Sequence, residues 1–165
     1  MIRRASKLAF AMFALTVGLA GAAHASTNTL VIEPAAASGE SHLGFGWSSQ
    51  SENADGRDFR WINHLEADTW FDLAAAADTA IVFTAAPLYI NWRRQVIGVY
   101  VNGRFVTEWI CPDQPDFQDY RVAVPAALLK PGRNCLTLRA AYRRRIPPDS
   151  RELALGVSRI LIQSR

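Results

Sequence analysis

The segment QVIGVYVNGRFVTEWIC, residues 95–111, decides the fold. Apolar side chains alternate on either side of Asn102-Gly103. Period-two alternation is the mark of a half-buried strand. Asn-Gly accepts the positive φ that a type I′ turn requires, so the segment reads as a tight hairpin. Upstream, Ala67, Thr69, Phe71 and Leu73 alternate with Glu66, Asp68, Trp70 and Asp72, which places the first set inward and Trp70 outward. Further strands are expected over 29–33, 59–62, 79–85, 120–124, 136–140 and 157–162, with a short one at 45–47. The polar stretch 48–58 reads as a loop. The four alanines 74–77 are too short a run for an independent helix and read as a strand end plus a tight turn. No segment sustains a 3.6-residue period and no β-α alternation occurs. The expectation is an all-β jelly-roll sandwich of about eight or nine antiparallel strands.

The first residues follow a different rule. Arg3, Arg4 and Lys7 precede an apolar run from Leu8 to Ala20, and Ala23-His24-Ala25 puts small residues where signal peptidase reads. This predicts a signal peptide over 1–25 and one domain over 26–165, in the periplasm or secreted. The run is short for a membrane span and no later segment is long enough for one. The leader's three basic residues account for the whole formal net charge of +3. The mature domain is therefore near neutral, which gives no reason to expect nucleic acid as a partner. Cys111 and Cys135 are the two cysteines. In an oxidising compartment they read first as a disulfide, with two free thiols as the alternative. If Val106 and Ile110 point inward, Cys111 points outward, as does Cys135 beside inward Leu136.

Several pieces in this order resemble a known family. They are Gly44-Phe45-Gly46-Trp47, Glu52, Arg60-Trp61, the alternating strand at 67–73, Val99-Tyr100-Val101-Asn102-Gly103, Tyr120-x-Val122-x-Val124-Pro125, Pro131-Gly132-x-Asn134, and Asp149-x-Arg151-x-Leu153. The chain is similar to the galactose-binding-domain-like jelly rolls of the type appended to bacterial cell-envelope glycosyltransferases and polysaccharide-biosynthesis proteins. The resemblance implies a non-catalytic β-sandwich linked to carbohydrate. It departs from that pattern in having no attached enzyme.

The chemistry-bearing residues fit this reading. Sugar rings are recognised by flat aromatic faces beside hydrogen-bonding groups. Trp47, outward Trp70, and the loop residues Tyr89, Trp92 and Arg93 are the candidate ligand-binding set. Trp61 is expected to pack inside. Glu52, Arg60, Asp149 and Arg151 form a polar set able to pair bidentately and tie an early loop to the last strand. Lining a ligand pocket is their alternative role. Asp113, Asp116 and Asp119 recur in a Pro-containing loop, a pattern compatible with a structural calcium; a solvated acidic loop is favoured and no metal is assigned. His64 near Glu66 and Asp68 is the nearest approach to an acid–base set, and no Gly-x-Ser-x-Gly elbow exists. Arg143-Arg144-Arg145 reads as a solvated basic run. The expected function is binding of carbohydrate or envelope polysaccharide. A structural module docking on a cell-envelope protein such as a glycosyltransferase is the alternative, and a small hydrolase trails both.

Overall fold

A computed structural model describes residues 28–88, 90 and 93–164. The expected signal peptide lies outside the described residues. The strands are β1 (Asn28–Ile32), β2 (Trp47–Ala54), β3 (Arg57–Ile62), β4 (Glu66–Leu73), β5 (Thr79–Pro87), β6 (Val96–Val101), β7 (Arg104–Ile110), β8 (Gln118–Val124), β9 (Gly132–Ala140), β10 (Arg144–Arg145), β11 (Glu152–Leu153) and β12 (Leu155–Ser164). A four-residue helix α1 (Ala37–Glu40) follows β1.

Two antiparallel sheets form the jelly-roll sandwich. The first runs β2-β3-β12-β5-β8, with β1 also paired to β12. The second runs β4-β9-β6-β7. Strand β12 is the hub of the first sheet. Its 160–164 half pairs β1, its 155–157 part pairs β3, and its other edge pairs β5 with an irregularity between Val157 and Arg159.

The core is built from inward-facing alternate residues. Ile81 and Phe83 on β5, Ile160 and Ile162 on β12, Phe71 on β4, Ile97 and Val99 on β6 and Leu136 and Leu138 on β9 are all essentially unexposed. Ala67, Thr69, Phe71 and Leu73 point inward and Trp70 outward, as the alternation predicts. At the hairpin, Asn102 (φ 51°) and Gly103 (φ 79°) take the expected positive angles. The Asn102 amide goes further. Its Nδ2 donates to Leu128 O and to Asn134 Oδ1, and its Oδ1 accepts from Cys135 N. The Asn-Gly and Pro-Gly-x-Asn motifs are thus two halves of one buried knot.

The sequence reading needs three corrections. The stretch 48–58 is not a loop: β2 and β3 pair as a hairpin around Asp55 (φ 54°) and Gly56 (φ 73°). Strand β2 is an edge strand with mostly wet faces, so it carries no hydrophobic alternation. Trp61 lies half-buried on the outer face of β3, against Phe59 and above Gly156, while its neighbour Arg60 points inward and is 8% exposed. The disulfide is not formed: both cysteines are free, Cys111 buried and Cys135 half-buried. Ile110 is 62% exposed and Cys111 fully buried, the reverse of the expected parity. An irregularity between Val99 and Tyr100 shifts the β6–β7 register. Cys111 lies beyond the Val96 end of β6, whereas Cys135 lies beyond the Val101 end. Five strand steps separate those ends by about 17 Å, well beyond the roughly 7 Å a disulfide tolerates between Cα atoms.

Candidate functional site

The outer face of the first sheet carries a cleft of about 650 Å³. It opens where β12 changes partner from β1 to β3. The floor is Thr84 of β5 and Ser158 of β12, both buried and small. Ser158 Oγ donates to Thr84 O at 3.2 Å, closing the gap left by the strand irregularity. The walls are charged. Glu33 follows β1, Arg57 and Asp58 come from the β2–β3 hairpin, Asp119 from β8 and Arg159 from β12.

These groups are held but not used up. Asp119 Oδ1 accepts from Thr84 Oγ1 at 2.6 Å, and its Oδ2 lies 3.9 Å from an Arg159 guanidinium nitrogen. Arg57 rests over the Phe117 ring, 5.2 Å from its centroid. Phe117 in turn packs on Phe59. Asp58 accepts from Asn53 at 2.7 Å. The cleft thus presents planar cations and carboxylates with free hydrogen-bonding capacity, next to one aromatic ring. Such groups can donate to and accept from hydroxyls beside an apolar ring face.

The sequence-predicted ligand residues do not converge on it. Trp47 packs against the core, and its Nε1 donates to Asp68 O at 2.8 Å. Trp70 is half-buried on the outer face of the second sheet, with the Arg133 guanidinium 4.6 Å above its ring. Arg93 lies over Tyr142, 5.0 Å from the ring centroid, at the loop end of the sandwich. Tyr89 and Trp92 lie outside the described residues.

The polar set divides. Arg151 pairs with both Glu52 and Asp149, and Nε reaches Asp149 Oδ1 at 3.0 Å. Glu52 also accepts from Trp61 Nε1 at 3.0 Å. Arg60, inward on the same strand, pairs with Glu40 of α1 instead. The Arg151 clamp ties the 146–151 loop to β2. Hydrogen bonds from Arg151 hold the Asp149 carboxyl down to about 2 from its ordinary 3.8. A carboxylate depressed on folding stabilises fully above its unfolded pKa and loses that contribution as pH falls through the folded one. The expected result is a melting-temperature gap between the wild type and Asp149→Asn that is constant above pH 4 and closes between pH 4 and 2. Parallel pH profiles for the two proteins would contradict it.

The remaining candidates are committed elsewhere. Asp113 is held by Arg94 in a bidentate pair. Among the described residues no three His, Cys, Asp or Glu side chains are grouped to hold a metal. His64 sits against Phe45 and Arg143, while Glu66 pairs with Arg139 and Asp68 accepts from Thr137. Arg143 pairs with Glu152, and Arg144 and Arg145 form β10 of a small hairpin. No helix among the described residues is long and apolar enough to cross a membrane.

Neither a family model nor a curated protein matches the chain. Solved structures do. The CBM35 of Cellvibrio japonicus Abf62 superposes with a TM-score of 0.56 at 13% identity, over 82% of this chain and 92% of that one. The C-terminal CBM6 of LamC, a laminarinase of Zobellia galactanivorans, gives 0.53 at 14% identity, over 84% and 100%. The Podospora anserina GH26-CBM35 β-(1,4)-mannanase gives 0.52 at 12%, over 84% of this chain and 28% of that one. At these identities the likeness speaks to architecture: the chain has the jelly-roll β-sandwich fold found in carbohydrate-binding modules.

Proposed function

We propose that this protein is an exported, non-catalytic carbohydrate-binding module, and that the cleft on the outer face of the first sheet holds the sugar. The observation that carries the reading is the make-up of that cleft. Small buried side chains form its floor, and Arg57, Arg159, Asp58, Asp119 and Glu33 surround it beside Phe117. Carboxylates and guanidinium groups bind vicinal hydroxyls in pairs, and an aromatic ring accepts the apolar C–H face of a sugar. The fold neighbours include modules carried by a laminarinase and a mannanase, so laminarin and β-1,4-mannan are the first polymers to test. An envelope polysaccharide of the producing cell is the third.

Hydrogen bonds to charged groups contribute about 1.5–3 kcal/mol each. Arg159→Ala and Asp119→Ala should each weaken polysaccharide binding by about tenfold or more, read by isothermal titration calorimetry. Trp70→Ala should retain affinity. Unchanged binding in both cleft variants, with loss in Trp70→Ala, would move the site to the opposite sheet.

A further inference from the structure

The free edges of the two sheets differ in how they are closed. An edge strand exposes unpaired backbone groups, and a bulge, a short length or a covering segment blunts it. Strand β2 has a register irregularity between Trp47 and Ser51. Strand β7 carries an extra residue, Val106, where Val99 pairs Thr107 and Tyr100 pairs Phe105. Strand β4 is covered by residues 42–45, which bond to the backbone of Asp68 and Trp70. Strand β1 has five residues and runs into Glu33-Pro34. Strand β8 has none of these devices. Its residues Gln118 to Val124 pair β5 in unbroken register and contain no proline. On its other side it has no backbone partner among the described residues.

The charges on this edge are arranged about its middle. Asp119, Arg121 and Ala123 are exposed, while Tyr120 and Val122 turn inward. A row of like charges would repel a second copy. Asp119 and Arg121 instead carry opposite signs and flank Tyr120 symmetrically. An antiparallel copy paired with Tyr120 on the two-fold axis sets Asp119 opposite Arg121 twice, with Cα atoms about 5 Å apart. Opposed residues of an antiparallel pair share a face, so both ion pairs form on the outer surface. Arg121 is free to take this partner. Arg60, Arg94, Arg139, Arg143 and Arg151 all lie within 3.0 Å of a carboxylate oxygen, whereas Arg121 makes no ion pair among the described residues. Asp119 Oδ1 is engaged by Thr84, but its Oδ2 has only Arg159, 3.9 Å away.

We infer that the protein forms a two-fold dimer by antiparallel pairing of β8 with β8 of a second copy. The two six-stranded sheets then become one continuous sheet. On the carbohydrate reading, the two clefts walled by Asp119 come to lie side by side on one face, where a polymer spanning both gains avidity. Dimerisation itself needs no sugar, so its failure leaves that reading intact.

Sedimentation velocity of the purified protein, without ligand, reads the pairing. A strand-to-strand contact is at the small end of interfaces, so a reversible dimer with a Kd on the order of 1–100 µM is expected. Arg121→Glu changes an exposed side chain that has no ion pair, so its circular dichroism spectrum should match that of wild type. It removes both attractive pairs and sets like charges opposite each other twice, which should raise the Kd at least about tenfold. Asp119→Lys should do the same from the other side. Mixed in equal amounts, the two variants should form a heterodimer about as tight as the wild-type dimer, because each supplies the charge the other lacks. A wild type that stays monomeric up to about 300 µM overturns the dimer and leaves the edge to a strand of another protein. A dimer that Arg121→Glu does not weaken, or two folded variants that fail to associate when mixed, overturns it as well.

Discussion

Replacing Asn134 with alanine is expected to destabilise the domain by about 3 kcal/mol, a fall in melting temperature of roughly 10 °C. The side chain is fully buried and makes four hydrogen bonds. Its Oδ1 accepts from Asn102 Nδ2 at 2.9 Å and from Lys130 N at 3.0 Å. Its Nδ2 donates to Lys130 O at 2.8 Å and Gly132 O at 2.9 Å. Truncation strands groups that water cannot reach, and an unmet buried polar group costs more than a met one contributes. Asn102→Gly separates the two halves of the knot. It keeps the positive φ of the turn and removes the amide, so its loss should be smaller. Urea denaturation with an unchanged m-value measures both. A cost below about 1 kcal/mol for Asn134→Ala would show that the knot is not what fixes this end of the sandwich.

Gly46→Ala should be at least as damaging, with about 3 kcal/mol or more lost. Gly46 has φ +88°, and a Cβ there would lie 1.9 Å from Glu66 O. Backbone cannot yield as a flexible side chain can. The collision falls where residues 44–47 are stitched to the start of β4. Gly44 N donates to Asp68 O, Asp68 N donates to Phe45 O, and Trp47 Nε1 also donates to Asp68 O. Gly56→Ala provides the comparison. Its φ is +73° but nothing lies within 4 Å of a Cβ at that position, so only the backbone cost of about 1–2 kcal/mol applies. The difference between the two substitutions measures the contact itself. Equal losses would mean that the Glu66 carbonyl moves aside without cost.

The fold was legible wherever one face of a strand is dry. The Asn-Gly hairpin and the β4 alternation show this most clearly, because burial imposes a period on the residues. Strand β2 escaped because both its faces are largely wet; the Asp55-Gly56 pair was the available signal. The cysteine parity failed at a β6–β7 irregularity that shifts alternation without a composition change. Glu52, Asp149 and Arg151 do meet, tying the 146–151 loop to β2. Arg60 does not join them because adjacent strand residues face opposite ways, and Trp61 has the side facing Glu52. The cleft was the least legible part. Arg57, Asp119 and Arg159 share no local spacing. They become neighbours through the order β3-β12-β5-β8, which joins strands distant in sequence. Tryptophan count pointed instead to Trp47 and Trp70, which are engaged by a backbone carbonyl and by Arg133.

The hub position of β12 also sets a timetable. Strands β1, β3 and β5 all bond to the last of the described strands. Read from the N-terminal side, the second sheet has all four of its strands by Ala140, but the first has no centre until residues 155–164 are added. Until then the edges of three early strands stand unpaired, in a topology dominated by long loop closures that fold slowly. Such edges recruit other chains. Chain order therefore leaves the proposed sugar-binding face as the last surface that can be completed.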